Sequence, residues 1–151
     1  DDEQGVVYRH ENVDIGIATQ TDNGLIVPVV RHVEARDMWS CAAEISRLAA
    51  AVRANAAGKD ELSGSTITIT SLGPLGGIVT TPVINHPEVA IIGVNKLVER
   101  PVVKNGAIVV RKMMNLSSSF DHRVVDGYDA AAFIQRVKGL LEHPASLFIE
   151  R

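Results

Sequence analysis

The chain has 151 residues, 46% of them apolar, 22% charged and 4% aromatic, with a net charge of −3. That is one domain's worth of chain, long enough for a real core and too apolar to stay disordered. No basic block or aromatic–basic stripe occurs, so nucleic acid and membrane surfaces are not expected partners.

Apolar runs such as 89–94 are far too short to span a bilayer, and no signal peptide is visible. The single cysteine, Cys41, excludes an internal disulfide and suits a reducing compartment. A chain opening Asp1-Asp2-Glu3 without an initiator Met reads as a processed or truncated piece.

Residues 12–19 alternate polar or small with apolar side chains, the period of a half-buried strand. Thr21-Asp22-Asn23-Gly24 is a turn, and 25–30 continues as a strand that Pro28 marks as an edge or a bulge. From Asp37 the period becomes helical. Met38, Ala42, Ile45, Ala49 and Val52 share one face, with Asp37 as N-cap and Gly58 as the stop. Met38 and Trp39 read as core. Cys41, in this helix with no nearby His, reads as a small buried hydrophobe rather than a nucleophile.

Residues 65–71 set Thr66, Thr68 and Thr70 against Ile67 and Ile69, the clearest strand in the chain. Residues 72–77 form a tight glycine-rich loop that lacks the Gly-Lys-Ser/Thr of a phosphate-binding loop. Residues 81–87 are a second irregular connection, and 88–96 a buried strand. Strands at 101–103 and 107–110 flank Lys104-Asn105-Gly106, whose Asn-Gly favours a hairpin. Residues 114–121 are a further strand. Asp129 is the expected cap of a last helix over 130–142, with Phe133, Ile134, Val137, Leu140 and Leu141 inward. No repeat, low-complexity tract or linker interrupts the chain, which reads as α/β or α+β with a mostly mixed sheet.

Before that helix stands Phe120-Asp121-His122-Arg123-Val124-Val125-Asp126-Gly127, a histidine and an aspartate four apart closed by glycine. A His held by its neighbours can take a proton from a thiol or hydroxyl near neutral pH. A histidine merely satisfied at a strand end would fit as well. A metal site on His122 and Asp126 would need a third ligand that nothing suggests, so no metal is expected.

This His-x-x-x-Asp-Gly pattern resembles the active-site signature of the dihydrolipoamide acyltransferases of 2-oxo acid dehydrogenase complexes, and of chloramphenicol acetyltransferase. Four other segments resemble the same catalytic domain in the same order: 13–18 with 21–30, 66–73, 81–85 with 87–91, and 113–117. The tracts 112–120 and 93–96 look most like the bacterial branched-chain members. The implied fold is α/β, the chloramphenicol acetyltransferase-like two-layer sandwich with a mixed sheet, here lacking its amino-terminal part. Residues 1–151 would then be the carboxy-terminal two-thirds of the acyltransferase catalytic domain, without lipoyl and subunit-binding domains.

The resemblance implies transfer of an acyl group, of branched type, from the sulfur of an acyl-dihydrolipoyl-lysine to the sulfur of coenzyme A. A thiol with an ordinary pKa of about 8.5 is mostly protonated at pH 7 and needs a base, for which His122 is the candidate. The family's oxyanion-stabilising hydroxyl, usually serine, falls on Thr70, which keeps the hydroxyl and adds a methyl. Asp126 would hold the loop and an arginine, with a purely structural turn role as the alternative. Gly127 would permit a conformation or close approach that a side chain blocks. Coenzyme A would be gripped by Gln20, Ser71, Pro74 and Asn95, although turn chemistry alone accounts for Asn23, Pro74 and the glycines.

The resemblance also implies a homotrimer with its site between subunits, so that His122 faces Thr70 of the partner subunit, and trimers assembled into a hollow core. The lipoyl domain, decarboxylase and dihydrolipoamide dehydrogenase would be its partners, in bacterial cytoplasm or mitochondrial matrix. Two rivals stand beside it: a non-catalytic scaffold fragment of that core, and an acetyl-CoA-dependent transferase to a small hydroxyl acceptor. The 81–85 and 87–91 blocks favour the lipoyl reading.

Overall fold

A computed structural model describes residues 1 and 3–149. Five strands make the central sheet: β1 (Ile15–Ile17), β4 (Val29–Val30), β5 (Ile67–Thr70), β6 (Ala90–Val94) and β9 (Leu116–Phe120), in the order β4-β1-β5-β6-β9. β5 runs parallel to β1 and β6, while β4 and β9 are antiparallel to their neighbours, so the sheet is mixed as expected. Two hairpins form separate two-stranded sheets, β2 (Thr19–Thr21) with β3 (Gly24–Ile26), and β7 (Val98–Lys104) with β8 (Ala107–Met113).

Local chemistry explains the breaks. The strand expected at 12–19 is shorter and divided, because Ala18 turns the chain out of β1 while giving its N–H to Ile69 O at 2.9 Å. Pro28 separates β3 from β4. It has no N–H to donate, and its carbonyl accepts the Ile17 N–H at 2.8 Å. Asn105 and Gly106, with φ of 53° and 79°, make the left-handed turn between β7 and β8, which are longer than the sequence suggested. The strands expected at 88–96 and 114–121 are confined to β6 and β9.

Helix α1 (Met38–Arg53) starts as expected, the Asp37 carboxylate accepting the Ser40 N–H at 2.8 Å. It stops well before Gly58, because Asn55 takes the left-handed position (φ 53°) that asparagine tolerates. Its buried residues are Leu48 and Val52, held against β2 and β4. The expected face is therefore corrected: Met38, Ala42 and Ile45 are exposed, and Trp39 is 81% exposed rather than core. Only the second half of the helix seals against the sheet, with the Cys41 thiol half-buried nearer its start.

Helix α2 (Gly127–Glu142) begins three residues earlier than expected. Its cap is Asp126, extended at φ −81° and ψ 169°, whose carboxylate accepts the Asp129 N–H at 2.8 Å. Asp129 instead lies in the first turn, where the helix dipole favours a negative charge. Ile134, Val137 and Leu140 are half-buried as the inner side requires, but Phe133 and Leu141 are exposed. Phe133 meets the sheet edge-on at Phe120, with ring centres 6.4 Å apart and planes at 85°.

The interior carries polar hubs as well as apolar residues. Buried Asp14 accepts hydrogen bonds from the His32 N–H (2.8 Å), the Arg31 guanidinium (3.1 Å) and the Asn12 amide. Burial pushes its pKa up. The His32 N–H and Arg31 outweigh that and hold the carboxyl below its ordinary value. Glu88 Oε1 gathers the Ser65 hydroxyl, the Thr68 hydroxyl (2.7 Å) and the Asn85 amide (2.9 Å), tying β5 to the start of β6. Thr68 is thus buried although it sits on the polar side of an alternating strand. Gly16 makes room for it, since a Cβ there would come 2.6 Å from Thr68 Oγ1.

Candidate active site

His122 stands just beyond the end of β9. The Asp121 N–H bonds Val89 O at 2.8 Å, and the Val124 and Val125 N–H groups return to Asp121 O at 3.0 and 2.9 Å. The turn is clamped from within by Asp121, which accepts the Arg123 backbone N–H at 3.0 Å and its Nε at 2.9 Å. The Arg123 side chain, first among these contacts, holds the Asp121 carboxyl down to about 2. The other end of the turn is pinned by Asp126 as the cap of α2. Between these anchors the imidazole of His122 is exposed and has no hydrogen-bond partner among the described residues.

The arginine beside this motif therefore pairs with Asp121, and the Asp126 carboxylate goes to the helix start. Gly127 is an ordinary first helical residue, and a Cβ there would meet nothing within 4 Å. The expected need for glycine at this position is not created by this chain's own packing. A cleft of about 340 Å³ lies beside the turn, lined among others by His10, His86, Glu88, Asp121 and Arg123; none of the residues expected at the site lines it.

Thr70 is elsewhere. It pairs with Gly93, which pairs with Ser117, while Phe120 pairs with Ala90. The three-residue offset from Ser117 to Phe120 is roughly 10 Å along the sheet, and His122 lies further still in that direction. A base must come within about 3 Å of the group it serves. Within one chain His122 and Thr70 are thus at opposite ends of the sheet and do not form a site together.

The four residues expected to grip coenzyme A share the Thr70 end. Ser71 and Pro74 follow β5 directly, Asn95 follows β6, and Gln20 lies in the hairpin that continues from β1 beyond the Ala18–Ile69 bond. Gln20 is exposed, its amide donating to Thr21 O at 3.0 Å. The Ser71 hydroxyl accepts the Gly73 N–H at 3.1 Å, and Pro74 is in the short turn that follows. Asn95 is only 5% exposed. Its amide points inward, to Asn115 O (3.0 Å) and Ser117 Oγ (2.9 Å), so it shapes this end of the sheet from within.

Sequence reasoning missed the polar residues at both ends of the sheet: Thr80 and Ser117 beneath this surface, and Asp14 and Glu88 at the opposite end, before β1 and β6. The one local signal was the alternation of β5, which announces a second, polar face but not what covers it.

The 2-oxoacid dehydrogenases acyltransferase catalytic-domain family matches residues 1–149. The chain belongs to that acyltransferase family. It is 71% identical over 150 residues to the lipoamide acyltransferase component of the branched-chain alpha-keto acid dehydrogenase complex of Pseudomonas aeruginosa, covering 99% of this chain and 35% of that protein. It superposes on Azotobacter vinelandii dihydrolipoamide acetyltransferase with a TM-score of 0.87 at 43% identity, covering 92% of this chain and 57% of the other. On the cubic core of the pyruvate dehydrogenase multienzyme complex the TM-score is 0.88 at 42% identity, covering 93% and 58%. The acyltransferase fold expected from the sequence is therefore present. The chain spans about a third of the length of the curated relative it matches.

Proposed function

We propose that this chain is the acyl-transferring part of a branched-chain lipoamide acyltransferase. His122 takes the thiol proton of coenzyme A, and the thiolate attacks the thioester carbonyl of an acyl-dihydrolipoyl group. A carbon–sulfur bond forms, and the carbonyl oxygen becomes an oxyanion that the Thr70 hydroxyl stabilises. Collapse breaks the bond to the dihydrolipoyl sulfur, which receives the proton back from His122.

A spacing carries this reading. The Azotobacter structure concerns the role of a serine, a histidine and an asparagine in catalysis, the histidine 52 residues after the serine and four before the asparagine. Thr70, His122 and Asp126 stand at those two intervals. The third exchange is physically quiet, since aspartate and asparagine are equally good N-caps and capping is what the Asp126 carboxylate does here.

The separation of Thr70 from His122 supports a site completed between subunits. One subunit would bring the turn carrying His122, its neighbour the Thr70 end with Gln20, Ser71, Pro74 and Asn95. A homotrimer, and a larger core built from it, satisfy that geometry, with a lipoyl domain delivering the acyl group and the decarboxylase and dihydrolipoamide dehydrogenase as further partners. The identity of 71% to a branched-chain component, against 43% to an acetyltransferase, favours branched acyl groups.

The test is coenzyme A-dependent transfer of isovaleryl and acetyl groups from dihydrolipoamide by the assembled protein. The parent should prefer the branched donor, and His122→Ala should lower turnover at least about 100-fold. An inert parent would leave the scaffold reading. Equal rates for parent and variant would remove His122 from the mechanism.

A further inference from the structure

Two buried polar atoms at the Thr70 end of the sheet have no hydrogen-bond partner among the described residues, Asn95 Oδ1 and Thr80 Oγ1. Asn95 at least has its amide donors engaged. The Thr80 hydroxyl is engaged with nothing, although burying an unpaired hydroxyl is unfavourable.

Its position is informative. Thr70, Gly93 and Ser117 form one row across β5, β6 and β9, and residues of one row point their side chains to the same face. A Cβ on Gly93 would come 2.8 Å from Thr80 Oγ1. The Thr80 hydroxyl therefore fills the space over Gly93, on the face that carries the Thr70 side chain, and Thr70 is Gly93's partner on the next strand, one strand spacing (~4.8 Å) away. The segment is held there by the Thr80 N–H on Ser117 Oγ (3.1 Å) and by the Ser119 hydroxyl on Pro82 O (2.6 Å). The Thr70 hydroxyl also lacks a partner among the described residues.

We propose that Thr80 is a positioning residue for Thr70. With an acyl thioester in place, the Thr80 O–H donates to Thr70 Oγ1, directly or through one bound water, and so turns the Thr70 O–H toward the oxyanion. A hydroxyl that accepts a hydrogen bond is polarised into a better donor. Gly93 is required because any side chain there would displace the Thr80 hydroxyl. This inference rests on the acyl-transfer reading and deepens its oxyanion-binding end.

Two variants of the assembled protein test it. Thr80→Val keeps the shape and removes the hydroxyl, and Thr80→Ser keeps the hydroxyl. Thr80→Val should lower kcat roughly tenfold, less than the 100- to 1,000-fold of losing a direct oxyanion donor. KM for coenzyme A and for the acyl donor should stay within about twofold, and Tm should not fall, because an unpaired buried hydroxyl is lost. Thr80→Ser should recover most of the rate. In a Thr70→Ala background, Thr80→Val should change the rate by less than about twofold, since the two hydroxyls act as a unit. An unchanged kcat in Thr80→Val, a loss shared by Thr80→Ser, equal losses in both backgrounds, or a rate loss tracking a fall in Tm each overturn the inference. In those cases an active parent leaves the transfer reading standing, whereas an inert parent overturns both.

Discussion

Helices α1 and α2 are each 16 residues long, and each opens on an aspartate whose carboxylate accepts the N–H three residues ahead at 2.8 Å. Their fates differ. α1 sinks Leu48 and Val52 against β2 and β4, whereas α2 has no buried residue and meets the sheet through Phe133 on Phe120. Equal local chemistry thus produces one helix that belongs to the chain's own core and one that does not. α1 stabilises. α2 fixes the exit of the turn that carries His122; its inner residues are only half-buried, and Phe133 and Leu141 remain exposed on the single chain.

The largest expected effect separates the two by burial. Leu48 is 1% exposed, so Leu48→Ala should cost about 2–5 kcal/mol in urea unfolding. Leu141 is 57% exposed on α2, and Leu141→Ala should cost less than about 0.5 kcal/mol. Similar losses at both sites would end the contrast.

A finer test uses the caps. Asp37→Ala and Asp126→Ala should each cost about 1 kcal/mol, because the two carboxylates make the same bond. Only Asp126→Ala should also slow acyl transfer, and Asp126→Asn should restore both stability and rate. If Asp126→Ala slows nothing, its role is confined to the helix start.

The smallest effect concerns pH. The carboxyls of Asp14 and Asp121 both sit below their ordinary value of 3.8. A group whose pKa is depressed by folding contributes stability that is present above its unfolded pKa and is lost as pH falls through the folded one. Stability should therefore fall as pH drops below about 4. Asp14→Asn should flatten that slope, since the Asp14 carboxyl is itself buried at 2% exposure. Asp121→Asn should scarcely alter it, because the Arg123 pair lies in solvent. A carboxyl titration of Asp121 by NMR with a midpoint near 3.8 rather than about 2 would show that the Arg123 clamp does not hold in solution.

What the sequence determined by itself was local. The alternation of Thr68 and Thr70 with Ile67 and Ile69 announced β5, Asn105-Gly106 announced the last hairpin, and Asp37 announced the start of α1, because period, turn geometry and capping depend on near neighbours in the chain. The motif from His122 to Asp126 was legible for the same reason, although the capping pattern of Asp126 with Asp129 was assigned one helical turn too late. Tertiary structure decided the rest. Nothing near Trp39 in sequence says that only the second half of α1 meets the sheet. Asp14 and Thr66, 52 residues apart, become partners only when β1 and β5 align. The same alignment buries Thr68, seats Thr80 over Gly93 and sends Thr70 and His122 to opposite ends of the sheet. Burial and distance belong to pairs of remote segments, and no local period encodes which pairs will meet.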